Sequence, residues 1–208
     1  MKLLKVLFFT ITATFILSGC VGNYMVKVPN NKINETIEDK ATIVFMRSSF
    51  VSSALNSKLF EVNDGKLSFI GFLSNGTKIA HKTVPGKKVY MAVGYAADFM
   101  IADVKAGQVY YSIVRPNWGT GGFAPTPIRT DGSTDYNTNI PAFKKWIENT
   151  TLYEKKPVES KQWFEENKEF YKNTYTEYWT RFQMKTPNEK SQRTLTNLDA
   201  YKLDKALK

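Results

Sequence analysis

Short runs of alternating apolar and polar residues, separated by turn residues, fill the first half of the chain. Ala41 to Arg47 (ATIVFMR) is rich in β-forming residues. Ser57 to Val62 (SKLFEV) runs into Asn63-Asp64-Gly65, the type of turn that joins two paired strands. Lys66 to Leu73 (KLSFIGFL) ends at Ser74-Asn75-Gly76, and Thr77 to Val84 ends at Pro85-Gly86. Lys87 to Tyr95 and Asp98 to Val104 precede Lys105-Ala106-Gly107, and Val109 to Val114 closes the set. Short strands at a spacing of about ten residues predict an all-β antiparallel sandwich, immunoglobulin-like or transthyretin-like. No long helical pattern interrupts Ala41 to Val114, which argues against a parallel α/β fold.

The pattern then changes. Residues 116–140 read as a loop region holding Gly119, Gly121, Gly122, Pro125 and Pro127. Pro141 to Asn149 predicts a short helix with Phe143, Trp146 and Ile147 on one side. Ser160 to Lys185 predicts a longer one, ended by Pro187. Its aromatics recur at spacings of three, four and seven, forming one wide stripe. That stripe either packs on the sandwich or on the Pro141 to Asn149 helix, or offers Trp163, Phe164, Tyr171, Tyr175, Tyr178 and Trp179 as an interaction surface for a partner or a membrane. Residues 188–208 are polar, with few leucines to pack, and read as partly disordered.

The N-terminus reads as a targeting segment. Lys2 and Lys5 precede the uncharged stretch Val6 to Leu17, which is too short for a stable membrane span. The stretch ends in Leu17-Ser18-Gly19-Cys20, which resembles the lipobox of bacterial lipoproteins. The resemblance implies cleavage before Cys20 and a diacylglyceryl group on its thiol. Leu17, Ser18 and Gly19 are then the signal-peptidase recognition residues, and the membrane is a partner through the lipid. In such lipoproteins the residue after the cysteine influences sorting. Val21 is not the aspartate associated with inner-membrane retention, which points to the outer membrane, facing the periplasm or the cell surface. The polar stretch Val21 to Lys40 reads as a tether from lipid to domain. The expected organisation is a signal peptide over 1–19, a lipidated tether over 20–40, the sandwich over 41–115, a loop region over 116–140 and a helical extension over 141–208.

Composition narrows the chemistry. Cys20 is the sole cysteine, so no intramolecular disulfide can form. After cleavage the chain carries 27 basic and 19 acidic residues, with the excess shared evenly between residues 20–140 and 141–208. Without clustering, that excess does not predict a nucleic-acid partner. His81 is the sole histidine and reads as an exposed strand residue, with no nucleophile motif beside it. One histidine and one lipidated cysteine do not supply a zinc site, and no cofactor is predicted. Asp131 to Asn137 spaces oxygen ligands like the start of a calcium loop, but Tyr136 stands where glycine is required and Ala142 where glutamate is, so it reads as a polar turn. The adjacent acids Glu38-Asp39 and Glu165-Glu166 lie in charged segments that read as solvated faces.

Several stretches together resemble a family of bacterial lipoproteins classed as a domain of unknown function. They are Phe45-Met46-Arg47, Ser74-Asn75-Gly76, Pro85-Gly86-Lys87 and Ala106-Gly107-Gln108-Val109-Tyr110-Tyr111. Trp146, Trp163 and Trp179 match the Trp-rich helical C-terminus of some members. The polar stretch Ser48 to Ser57 departs from the pattern. The resemblance implies a β-sandwich lipoprotein and supplies no catalytic residues. The leading expectation is a non-enzymatic interaction or structural module of the cell envelope, contacting an envelope protein or a cell-wall polymer. The alternative is a small carboxylate-dependent hydrolase or carbohydrate-active enzyme, which requires two acids facing each other across a cleft.

Overall fold

The computed structural model describes residues 22–33 and 38–202. Leu17, Ser18, Gly19 and Cys20, and with them the signal peptide and the lipid site, lie outside the described residues. In chain order the elements are β1 (Met25–Lys27), β2 (Ala41–Arg47), β3 (Ser57–Asn63), β4 (Lys66–Leu73), β5 (Thr77–Thr83), β6 (Gly86–Val93) and β7 (Ala97–Val104). There follow β8 (Val109–Asn117), β9 (Gly122–Pro127), α1 (Pro141–Asn149), β10 (Thr151–Lys155), α2 (Pro157–Gln183), α3 (Pro187–Ser191) and β11 (Thr194–Leu195). The seven strands read from the alternation are all present, each within a few residues of its expected bounds. All three helices among the described residues begin on a proline, whose fixed φ and missing N–H suit the first helical position.

The molecule is mostly β, built as two mixed sheets with helices added. One sheet has the order β1-β10-β5-β2-β8-β9, the other β11-β7-β6-β3-β4. The expectation of purely antiparallel pairing is corrected. β2 pairs in parallel with β8, β10 with β5, and β11 with β7. Parallel neighbours need a long crossover, and here no helix supplies the central one. The chain leaves β2, builds most of the other sheet and returns as β8. At the β3–β4 hairpin, Asp64 and Gly65 both have positive φ (47° and 74°), the conformation of a tight two-residue turn.

β2 is buried along its whole length because both of its faces are covered. Ile43 and Phe45 join a core shared with Leu59, Tyr90 and Met100 of the other sheet. Val44 and Met46 face the opposite way, where they meet Phe143 and Ile147 of α1. Lys78 is buried beside them, and its Nζ donates to the Ile147 carbonyl at 2.8 Å, near the negative end of α1.

Two further expectations change. The stretch read as a tether carries β1, which pairs antiparallel with β10. Met25 is buried, and Tyr24 stacks on Phe72 with ring centroids 5.3 Å apart. The Asn31 side chain accepts from the Leu152 N–H at 2.6 Å and donates to the Thr150 carbonyl. The C-terminal polar segment is likewise built into the domain as far as residue 202. Leu195 is fully buried, and Asp199 bonds Arg129 at 3.0 Å. In both segments a few anchors replace the broad apolar face that marks an ordered element in sequence.

Candidate functional site

The aromatic stripe of α2 lies against the five-stranded sheet. Phe164 and Tyr171 are buried on Phe60, at ring-centroid distances of 5.9 and 4.8 Å. Trp163 meets Phe69 and Phe72 at 4.7 and 4.6 Å. Tyr175 and Trp179 meet Phe99 at 6.0 and 5.0 Å, beside Phe182 at 5.5 Å. Tyr178 is half-buried at the margin, where the Arg181 guanidinium lies 4.8 Å above its ring. The stripe thus packs on the sheet, and the solvent side of the helix is mostly polar, with Val158 and Phe170 exposed on it.

The acids sort themselves equally clearly. Glu38, Asp39, Glu165 and Glu166 are exposed. The three buried carboxylates among the described residues each have a basic partner: Glu61 with His81 at 2.6 Å, Asp98 with Arg193 at 3.1 Å, and Asp199 with Arg129 at 3.0 Å. Among the described residues no group of three or more His, Cys, Asp or Glu side chains is placed to hold a metal ion. Asp131 folds back on the Ser133 N–H and pairs with Arg129, as a polar turn does.

His81 is not the free strand residue expected from sequence. Its ring N–H donates across the two sheets to Glu61, which also accepts from Asn63 at 2.7 Å and from the Tyr90 hydroxyl at 3.4 Å. Burial works against the Glu61 charge. The hydrogen bonds from His81, Asn63 and Thr83, with the charge on His81, outweigh it and hold the carboxyl down at about 2. Burial and the charge of Glu61 push the Tyr90 hydroxyl well above its usual value. This network ties β3 and β6 to β5. Its distance in sequence concealed it.

The arrangement that leaves groups free is at the end of the domain where β2 finishes. Four connections meet there: residues 48–56, 74–76, 94–96 and 118–121. Three of them carry an exposed aromatic, Phe50 at 98 %, Tyr95 at 80 % and Trp118 at 78 % of full accessibility. Sequence reading singled out the glycines around Trp118 and passed over Phe50 and Tyr95, because an isolated aromatic in a turn has no periodicity.

The loops are fixed from beneath. Arg47, the last residue of β2, is fully buried and donates to the carbonyls of Ser52, Leu55 and Leu73, the last at 3.2 Å. Its guanidinium also sits 4.2 Å above the Phe123 ring. It has no carboxylate partner among the described residues, and burial lowers it to about 10. Ser49 N–H donates to the Asn75 side chain at 2.8 Å, joining the first loop to the second. Gly122 lies so close to the third that a Cβ there would come within 2.3 Å of the Ala96 carbonyl oxygen. The aromatics therefore project from a braced platform, which suits binding by stacking and apolar contact.

No helix among the described residues is long and apolar enough to cross a membrane. No family model matches this chain, and no curated protein matches it either.

Proposed function

We propose that the protein is a lipoprotein of the cell envelope, anchored through lipid on Cys20, whose β-sandwich domain serves as a non-enzymatic binding module. Its membrane is the outer membrane, facing the periplasm. The partner is an envelope protein or cell-wall polymer, met at the loop end by Phe50, Tyr95 and Trp118. A lipoprotein of the family that the strands and turns resemble fits this reading.

The observation that carries it is polarity. Residues 22–24 are held where β10 gives way to α2, through Lys156 and Ser160 bonding to Gly22 and Tyr24 carbonyls. β1 starts at the same end of the domain as β2, because β1 opposes β10, β10 follows β5, and β5 opposes β2. The exposed aromatics stand at the other end. An anchor at one end and free apolar groups at the opposite one is what a tethered binding module needs.

The test is crosslinking in the intact envelope, comparing the wild type with a Phe50→Ser, Tyr95→Ser, Trp118→Ser variant. A specific protein or glycan adduct should form with the first and fall away with the second, while labelling by a palmitate analogue persists in both. Equal adducts from both would overturn the loop-end assignment. Failure of the analogue to label the wild type, with a Cys20→Ser control, would overturn the anchor.

A further inference from the structure

A cavity of about 480 Å³ lies between β9, the loop after it and the α2–α3 turn, lined among others by Arg115, Thr126, Tyr136, Lys185, Glu189 and Arg193. That volume is in the range of small-molecule sites. At its wall two arginines share one hydroxyl: Arg115 Nε and Arg193 Nη1 donate to Thr126 Oγ1 at 3.1 and 2.9 Å. Two guanidiniums on a single acceptor repel, and that repulsion needs compensating charge.

Arg193 has it. Asp98 stands 3.1 Å from Arg193, and the Asp98 carboxylate is also occupied by the Asn117 amide and the Phe99 N–H. Burial, first, and the charge of Arg115 both lower Arg193, while Asp98 raises it. Arg115 has no such partner among the described residues. Beyond Thr126 it makes only a long bond to the Pro116 carbonyl, at 3.4 Å, and its guanidinium lies 5.0 Å above the Tyr136 ring.

Of the two acids lining the cavity, Glu189 is committed to the Thr186 N–H and hydroxyl, both at 2.8 Å. The other, Asp135, is exposed. Arg115 therefore combines a fixed orientation, set by Thr126 and Tyr136, with N–H donors still unspent. A planar fork of this kind matches an oxyanion.

We propose that this cavity binds the carboxylate or phosphate of a small ligand or polymer substituent, with Arg115 as the primary contact and Lys185 as the second cation. Phe50, Tyr95 and Trp118 do not line the cavity, and the proposal does not depend on the lipid anchor.

The test is calorimetric titration of the full chain in detergent with inorganic phosphate and with N-acetylmuramic acid, using N-acetylglucosamine as the uncharged control. One of the two anions should bind saturably, and which one does so identifies the source. Arg115→Gln should weaken that binding about tenfold or more, the loss of a charge-assisted hydrogen bond. Arg115→Lys should recover part of it, and thermal unfolding should change little because Arg115 pairs with no buried acid. Lys185→Gln supplies a second variant, on the helix-turn side, should Arg115→Gln fold poorly. The proposal is overturned if neither anion binds, if the variants bind as the wild type does, or if the uncharged sugar binds as well as the acidic one.

Discussion

Replacing Glu61 with glutamine should flatten the acid limb of the stability curve. Glu61 sits between the sheets, bonded to His81 at 2.6 Å, Asn63 at 2.7 Å and Tyr90 at 3.4 Å. Its folded value of about 2 lies below the ordinary 4.5, so between those pH values the unfolded chain binds the extra proton. The stabilisation is fully present above about 4.5 and is lost as pH falls through that window toward 2. The shift from 4.5 to about 2 corresponds to at most about 3 kcal/mol at about 1.4 kcal/mol per unit, reduced by solvent reaching the partly exposed His81 side of the pair. Glutamine keeps the shape and an acceptor oxygen for Asn63 or Tyr90 but cannot titrate. Its stability at pH 7 should drop, since an amide is a poorer acceptor for His81. The assay is urea unfolding from pH 7 to pH 2.5 for both proteins, with the difference in unfolding free energy plotted against pH. That difference should shrink below pH 4.5 as the wild type loses what the variant never had. A difference that stays constant down to pH 2.5 would refute the reasoning.

Arg47→Met should cost about 3 kcal/mol, because three loop and strand carbonyls lose their shared donor while a methionine fills most of the space. Hydrogen exchange should quicken first in residues 48–56, and unchanged protection there would count against the bracing role. Phe99→Ala should cost about 4 kcal/mol by opening a cavity under Tyr175, Trp179 and Phe182. Denaturant unfolding would measure it, and a loss below about 1 kcal/mol would mean that the second half of α2 does not pack as described.

What was legible in the sequence follows from how local its cause is. β2 to β8 were readable because each places alternate residues in a core and ends at a turn. β9 was read as loop because it holds Pro125 and Pro127, yet it is the last strand of its sheet, where a missing N–H costs little. β1, β10 and β11 are two to five residues long, too short for any period to register. The parallel pairings depend on where the chain returns after building the other sheet, which no local window contains. The same limit hid the polar clusters and the loop-end aromatics. Glu61 and His81 meet across the two sheets, Arg115 and Arg193 meet across 78 positions on Thr126, and the three exposed aromatics share an end only once the strand directions are known.

The docked N-terminus changes what an anchor at Cys20 does. A twenty-residue tether would let the domain roam tens of ångströms from the bilayer. The Gly22 carbonyl accepts from Lys156 at 3.1 Å, and Cys20 is two positions before it in sequence, a span of at most about 7 Å. On the proposed lipidation of Cys20, the end of the domain where β2 begins would lie next to the membrane surface. The strands that cross the domain are seven to nine residues long in its centre, which places the opposite end roughly 25 Å farther out. At that distance Phe50, Tyr95 and Trp118 would not reach the lipid of the proposed anchor. On the proposed function, a partner rather than the bilayer would cover these rings, which stand on loops fixed by Arg47 and Asn75.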